Sequence, residues 1–217
     1  MKTTNPITLL RHNRLKPPFD NYDKLTLEQL DDLASGGVDP EIQGISSLDG
    51  FDPHITEQLK NADIILHAES KRATQTAKQL ANLLGGADKL RSDARLNEIY
   101  FVPSRLVSKD DPHYLKTLRT KIYEEIAGGG PGAELSSQLE KRMSSLRKDY
   151  GGKKVVMVTH GFLIRLMDAY TQHTGNMTEA LSHISDVKSV KYMEARHIAQ
   201  SGRPFFGHST GGEVIER

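Results

Sequence analysis

Residues 7–12 read Ile-Thr-Leu-Leu-Arg-His, and residues 155–161 read Val-Val-Met-Val-Thr-His-Gly. Each run places four or five apolar or β-branched residues before a polar break, which is typical of strands buried in a parallel sheet. Ligand sites of α/β proteins lie at the carboxyl ends of such strands. We therefore expect His12 and His160 to lie at the ligand-binding edge of one sheet.

Strand-like and helix-like segments alternate along the chain. A third apolar run covers residues 64–67, and we predict a last strand over residues 187–193. Helical periodicity recurs over residues 26–34, 70–84, 112–127, 135–146 and 162–170. This alternation favours an α/β fold in which helices cover both faces of a mainly parallel sheet.

The composition fits one large domain. The chain has 217 residues, of which 36% are hydrophobic, and this is enough to bury one substantial core. We predict a single domain over residues 1–198. Residues 199–217 carry glycines and a proline without periodicity, so we predict a loosely ordered C-terminal tail there.

Charge and cysteine content limit the possible functions. The 29 basic and 28 acidic residues give a formal net charge of +1, which provides no overall field to attract nucleic acid or an anionic membrane. The chain has no cysteine, which excludes disulfides, Cys-ligated zinc and thiol catalysis and fits a reducing compartment. No apolar run approaches the roughly 20 residues of a membrane span. We therefore expect a cytoplasmic protein that binds neither nucleic acid nor membranes.

Arginines are expected to surround both histidines. Arg11 directly precedes His12, Arg72 lies in the first turn of the helix after the middle strand, and His160 opens another helix. Arginine forks match phosphoryl oxygens, and a helix N-terminus adds free N–H groups and a positive dipole end. Nearby arginines also disfavour a protonated imidazole, so that a neutral histidine can attack phosphorus.

The leaving group of such an attack needs a proton donor. Glu98 is the carboxyl candidate because it lies in a loop after a short apolar break, with Asp93 and Glu69 as nearby competitors. The other seven of the 9 histidines show no metal-ligand spacing such as His-x-x-x-His, so we predict no metal site. Together these residues predict phosphoryl transfer through a phosphohistidine.

At these residues the chain resembles the phosphoglycerate mutase-like branch of the histidine phosphatase superfamily. The motifs of that family are Leu-x-Arg-His-Gly, a helix with Ser-x-x-x-Arg-Ala-x-x-Thr-Ala, a Leu-x-Glu element, and an apolar strand that ends in Ser/Thr-His-Gly. They correspond here, in the same order, to residues 9–13, 67–77, 96–98 and 159–161. The resemblance implies a three-layer α/β/α fold with a mostly parallel sheet of six strands.

The resemblance also implies a role for each site residue. It makes His12 the nucleophile, Glu98 the proton donor, and Arg11, Arg72 and His160 the ligands of the phosphoryl group, beside Gly161. It implies no metal and no cofactor. The implied partner is a small phosphorylated substrate or a phosphoprotein.

Two positions depart from the family motif. Asn13 replaces the glycine after the first histidine, where a Cβ could crowd the phosphoryl group or strain the turn. Asparagine tolerates positive φ, and its amide could instead donate to the anion. Arg14 stands where many relatives carry an acidic or small residue, and it either extends the anion site or points to solvent.

Three functions stay open at this level. The first is a phosphomonoesterase that releases phosphate to water. The second is a mutase that returns the phosphoryl group to a bisphosphorylated intermediate, although the chain is shorter than mutases with long insertions over the site. The third is a catalytically silent module that binds phosphorylated ligands because Asn13 blocks attack. We expect the first, a phosphoric monoester hydrolase.

Overall fold

The computed structural model describes residues 7–49, 51–108, 110–111, 113–173 and 175–198. One sheet contains β1 (Ile7–Arg11), β2 (Ile64–His67), β3 (Leu90–Ser92), β4 (Val155–Thr159) and β5 (Ala195–Ile198), in the order β3-β2-β4-β1-β5. The strands β1 to β4 are parallel, and β5 is antiparallel to β1. The α/β class and the mostly parallel sheet are confirmed. The expected count of six strands is wrong, since the sheet has five in the described residues.

Helices flank this sheet. The α-helices of the described residues are α1 (Leu27–Ser35), α2 (Pro53–Lys60), α3 (Lys71–Leu84), α4 (Pro103–Leu106), α5 (Tyr114–Gly128), α6 (Ser136–Tyr150), α7 (Gly161–Gln172) and α8 (Met177–Ser182). Short 3-10 helices cover Tyr22–Lys24, Ala87–Lys89, Ala94–Leu96 and Ile184–Asp186. The helix α3 packs on β2 and β4, whereas α7 packs on β1 and β5.

Local capping residues fix where the helices begin. The Thr26 hydroxyl accepts a hydrogen bond from the Gln29 N–H (3.2 Å), and the Gln29 side chain accepts one from the Thr26 N–H (2.9 Å), which completes a capping box for α1. The Ser70 hydroxyl accepts from the Ala73 N–H (3.3 Å) and caps α3. This cap places the first turn of α3 at the carboxyl end of β2.

The strands β1 and β4 form the centre of the sheet. No residue of β4 is more than 2% exposed, and burial on both faces explains why these strands are continuous apolar runs. The register pairs Arg11 with Thr159, and Val158 with His67. The carboxyl ends of β1, β2 and β4 therefore meet at one edge of the sheet.

The predicted strand over residues 187–193 is wrong. These residues form a loop, and the last strand, β5, begins only at Ala195. The Glu194 N–H donates to the Lys191 carbonyl (3.1 Å), and Met193 takes a φ of 57°. A left-handed residue in a tight turn does not fit a strand, so pairing with β1 starts after the turn.

Two further expectations concern the whole chain. Of the helices in the described residues, none is long and apolar enough to span a bilayer. The buried hydrophobic residues of the described part form one connected cluster. The tail predicted over residues 199–217 lies outside the described residues, and the division into a domain and a tail stays a prediction.

Candidate active site

The predicted site residues come from three strand ends. His12 directly follows β1, and its backbone N–H donates to the Thr159 carbonyl at the end of β4 (2.9 Å). His160 follows β4 and occupies the N-cap position of α7. Arg72 lies in the first turn of α3, just after β2. Parallel strand order thus brings these three side chains to one edge of the sheet.

The His12 imidazole is held in one orientation. Its Nδ1 lies 2.8 Å from the carbonyl oxygen of Asn13, and because a carbonyl only accepts, Nδ1 carries the hydrogen. In the neutral ring, Nε2 therefore keeps its lone pair. His12 is 2% exposed, and burial, followed by the charges of Arg72 and Arg11, holds its pKa well below the usual value. The ring is therefore neutral, and its Nε2 carries an unshared lone pair.

His160 lies against His12 and carries its hydrogen on Nε2, whereas His12 carries it on Nδ1. The two ring centroids are 5.2 Å apart in an edge-to-face contact. The His160 Nδ1 accepts from Arg72 Nε (3.4 Å), so that Nε2 carries the hydrogen and lies 3.2 Å from the Ser70 hydroxyl oxygen. Burial and the nearby Arg72 hold the pKa of His160 well below its usual value. His160 is thus a neutral donor through Nε2.

A carboxylate orients the Arg72 guanidinium. Nη1 of Arg72 donates to Asp39 Oδ1 (3.2 Å), while the other Asp39 oxygen accepts from the Lys71 backbone N–H. With Nε directed to His160, the nitrogen Nη2 makes no hydrogen bond to the described residues. Arg72 as a whole is only 8% exposed, so little of its side chain other than this donor is open to solvent. This donor is available to an anion.

The Arg11 guanidinium also keeps an unused donor. Its Nη1 donates to the Val190 carbonyl (2.6 Å), and its Nε is buried without a hydrogen-bond partner among the described residues. A Cβ at Gly161 would lie 3.3 Å from this Nε, so glycine permits the close approach of Arg11 to the start of α7. A buried, unpaired N–H beside a helix N-terminus is suited to a phosphoryl oxygen.

Glu98 lies at the N-terminus of α7. Its carboxylate accepts hydrogen bonds from the backbone N–H groups of Leu163 (2.8 Å), Phe162 (3.2 Å) and Ile99 (3.1 Å). Burial raises the pKa of Glu98, although these backbone donors act in the opposite direction. The carboxyl group therefore stabilises the helix that begins after His160, and burial favours its protonated form.

The two competing carboxylates are placed differently. Asp93 is paired with Arg95 (2.7 Å) and accepts from the Tyr150 hydroxyl (3.1 Å), and its pKa is lowered. Glu69 is exposed and accepts from the Asn97 side chain (2.9 Å). Glu98 is half-buried, and of the three carboxyl groups it is the one that bonds to the first turn of α7, where His160 is the cap.

Asn13 and Arg14, the two residues that depart from the family motif, lie at the outer margin of the candidate site. The Asn13 amide donates to the Gln43 carbonyl (2.9 Å), and the Asn13 N–H donates to the Thr76 hydroxyl (3.0 Å). Among the described non-glycine residues only Met193 has a positive φ, so the backbone at Asn13 does not require glycine. Arg14 is exposed and forms no ion pair with the described residues.

Three residues of the site were not anticipated. Asp39 orients Arg72, Ser70 contacts His160, and the ring of Tyr192 lies beside His12, with centroids 5.6 Å apart. Ser70 could be placed near the site from the sequence, because it is the first residue of the predicted helix. Asp39 and Tyr192 could not be placed in this way, because their positions depend on the paths of two loops.

The described residues contain no group of three or more His, Cys, Asp or Glu side chains placed to hold a metal ion. The independence from metal that the resemblance implies stays a prediction.

Comparison with protein families matches residues 43–197 to the model of the histidine phosphatase superfamily, branch 1. The chain belongs to the histidine phosphatase superfamily. The match begins after β1, so that Arg11 and His12 lie outside it, and the fold brings them to the matched residues Arg72 and His160. The comparison of this superfamily member with curated protein sequences gave no match.

Solved structures resemble this histidine phosphatase superfamily member over most of its length. A mycobacterial hydrolase has a TM-score of 0.61 at 16% identity, with 90% of this chain and 89% of that one covered. A mycobacterial glucosyl-3-phosphoglycerate phosphatase has a TM-score of 0.55 at 17% identity, with 89% of each chain covered. A phosphoserine phosphatase from Entamoeba histolytica, in complex with 3-phosphoglyceric acid, has a TM-score of 0.51 at 16% identity, again with 89% of each covered. At this identity the likeness shows a shared fold.

Proposed function

We propose that this protein is a metal-independent phosphatase that hydrolyses a phosphomonoester through a phosphohistidine on His12. The observation that carries the proposal is the orientation of the His12 ring, in which Nδ1 donates to the Asn13 carbonyl (2.8 Å) and Nε2 keeps its lone pair. Membership of the superfamily and the phosphatases among the solved structures support the reaction class.

In the first half-reaction, Nε2 of His12 attacks phosphorus while the bond from phosphorus to the ester oxygen breaks. The free donors of Arg11 and Arg72 stabilise the charge on the phosphoryl oxygens. The Nε2–H of His160, which is directed to the Ser70 hydroxyl (3.2 Å) in the free site, turns to a phosphoryl oxygen as the third donor. Glu98 gives its proton to the leaving oxygen, so that an alcohol departs and a carboxylate remains.

The second half-reaction regenerates the enzyme. Water attacks the phosphorus of phosphohistidine and gives a proton to the Glu98 carboxylate, while the bond between phosphorus and Nε2 breaks. The products are inorganic phosphate, neutral His12 and protonated Glu98. The substrate is a small phosphorylated compound or a phosphoprotein, and the solved phosphatases of phosphorylated small molecules support the first. The cytoplasmic location also stays a prediction.

The test is hydrolysis of p-nitrophenyl phosphate between pH 5 and 8 in excess chelator. We expect turnover by the wild type and by the exposed-histidine control His113→Ala. We expect a loss of at least about 10³-fold for His12→Ala, because the nucleophile is removed. A radiolabelled phosphate ester should leave an acid-labile label on the wild type and on His113→Ala, but not on His12→Ala.

Other outcomes identify the alternatives. Phosphate binding without turnover of any ester would reject the phosphatase and favour the silent binding module. Transfer of label between the carbons of a sugar acid, dependent on a bisphosphate primer, would favour the mutase.

A further inference from the structure

The turn before β5 brings an aromatic ring against the site. Tyr192 lies between Lys191 and Glu194, and the guanidinium carbon of Arg11 lies 4.1 Å from the centre of its ring. The other contacts between cations and rings in the described residues have distances of 5.4–5.9 Å. Arg11 and Tyr192 therefore form the closest such pair in the described structure.

The same segment is bonded to Arg11 at several points. The Met193 N–H donates to the Arg11 carbonyl (3.3 Å), and the Arg11 N–H donates to the Glu194 carbonyl (3.2 Å). The Val190 carbonyl accepts from Arg11 Nη1 (2.6 Å). Backbone and side-chain bonds thus fix the Tyr192 turn relative to the Arg11 guanidinium.

A second tyrosine supports the ring of Tyr192. The ring of Tyr22 is nearly parallel to it, with an interplanar angle of 17° and centroids 6.3 Å apart. Tyr192 also contacts His12, with centroids 5.6 Å apart. Neighbours of this kind restrict the rotation of the Tyr192 ring.

These contacts leave one edge of the guanidinium free. Nη1 is used by Val190, whereas Nε is buried and unpaired and Nη2 makes no hydrogen bond to the described residues. Nε and Nη2 form a parallel pair of donors that suits two oxygens of one phosphoryl group. A ring face against the guanidinium, at 4.1 Å from its central carbon, restricts the rotation of the group and so fixes the direction of this edge.

We propose that Tyr192 is a positioning residue for Arg11, whose ring face holds the guanidinium so that its Nε and Nη2 donors meet the phosphoryl group. The role rests on the proposed function, because it assumes that the site takes a phosphoryl group. Tyr192 acts through its ring, so the hydroxyl group is not required.

The first experiment compares Tyr192→Phe with Tyr192→Leu. Tyr192→Phe keeps the ring and should stay within about threefold of the wild type in kcat/KM and in inhibition by inorganic phosphate. Tyr192→Leu should weaken both by about tenfold. The matched control is Tyr150→Leu, since the Tyr150 ring lies 5.7 Å from the guanidinium carbon of Arg95, outside the site, and we expect no change there.

A double-mutant cycle separates positioning from general packing. In an Arg11→Ala background, Tyr192→Leu should have less than about twofold further effect on phosphate inhibition, because the group that it positions is absent. Equal effects of Tyr192→Leu with and without Arg11 would overturn the proposal. So would a wild-type phosphate affinity in Tyr192→Leu.

A binding measurement keeps this result independent of turnover. The chain has no tryptophan, so Tyr192→Trp introduces a single fluorescent indole at the site. Inorganic phosphate should change its emission saturably, and Arg11→Ala should weaken that response by at least about tenfold. If phosphate binds in this way while no ester is hydrolysed, the phosphatase proposal fails and the role of Tyr192 stands. If the wild type hydrolyses esters but the indole does not respond, the role of Tyr192 fails alone.

Discussion

The imidazole rings of His12 and His160 meet edge to face, with centroids 5.2 Å apart, and each residue is 2% exposed. Arg11 and Arg72 already place two positive charges next to them. A proton on either ring would add a third charge in a buried space, and the pKa values of both histidines are lowered accordingly. The site is therefore built around two neutral rings.

This arrangement links stability to pH. A histidine in the unfolded chain has a pKa of about 6.5, so below about pH 6.5 the unfolded state binds protons that the folded state does not bind. As the pH decreases below about 6.5, the free energy of unfolding should therefore fall by about 1.4 kcal/mol per pH unit for each buried histidine, until the pH reaches the lowered pKa of the folded state. Urea unfolding at pH 7.5, 6.5 and 5.5 measures this slope.

The variants His160→Gln and His113→Gln test the origin of the slope. We expect His160→Gln to reduce it by about half, because one of the two contributing groups is gone. The exposed His113 should leave it unchanged. Equal slopes in all three proteins would contradict the assignment to the buried pair.

Glu98→Gln should separate substrates by their leaving groups. The variant should hydrolyse an alkyl phosphate about 10²-fold to 10³-fold more slowly, since an alkoxide needs a proton on departure. A p-nitrophenolate leaves without one, so that rate should fall less than about tenfold. Steady-state kcat on the two esters gives the comparison, and equal losses would show that Glu98 only supports α7.

The raised pKa of Glu98 gives this prediction a pH dependence. As the pH rises through that pKa, the carboxyl group loses the proton that it donates. The rate on an alkyl phosphate should therefore decline toward alkaline pH in the wild type. In Glu98→Gln this decline should disappear, while Asp93→Asn, which changes a carboxylate paired with Arg95, should retain it.

Asn13→Gly should not increase the activity. The side chain of Asn13 is bonded to the Gln43 carbonyl (2.9 Å), and φ at this position is not positive, so glycine relieves no strain. The loss of this hydrogen bond and the added freedom of the unfolded chain should cost about 1–2 kcal/mol in the free energy of unfolding. Urea unfolding and ester hydrolysis measure both effects. A large gain in turnover would instead support the view that Asn13 silences the site.

Ser70 has two partners whose contributions can be separated. Ser70→Ala removes the cap of α3 and should cost about 1 kcal/mol in stability. Ser70→Asp restores a capping oxygen, but it places a negative charge beside His160 Nε2, which should raise the pKa of His160 and weaken inhibition by phosphate. Stability that recovers together with full phosphate affinity would show that Ser70 acts on the helix alone.

The features that the sequence predicted correctly are local ones. The strands β1, β2 and β4 are short apolar runs, and the helices predicted from residues 26 and 70 begin one residue later, after Thr26 and Ser70, which bond to residues three positions along the chain. The strand β3 was missed because it has three residues with largely exposed side chains. The position of β5 was missed because nothing in the sequence signals the left-handed φ of Met193.

The same distinction applies to the site. Four site residues lie at or just after strand ends, namely Arg11, His12, Arg72 and His160. Parallel strand order brings these ends together independently of the loop conformations. Asp39 reaches Arg72 from a loop, and Tyr192 reaches Arg11 from a turn. The paths of those segments depend on packing across the whole domain, which short-range patterns do not encode.

The antiparallel pairing of β1 with β5 has a consequence for protein engineering. Ile7 is paired with Ile198 at the edge of the sheet opposite the histidines, so their Cα atoms lie about 5 Å apart. In a variant without residues 1–6 and 199–217, a short linker could join these two positions, and new termini could be opened in a surface loop. A circular permutant of this kind should keep the strand register. That result would show that the site depends on where the strand ends meet in the fold and not on the order of the motifs along the chain.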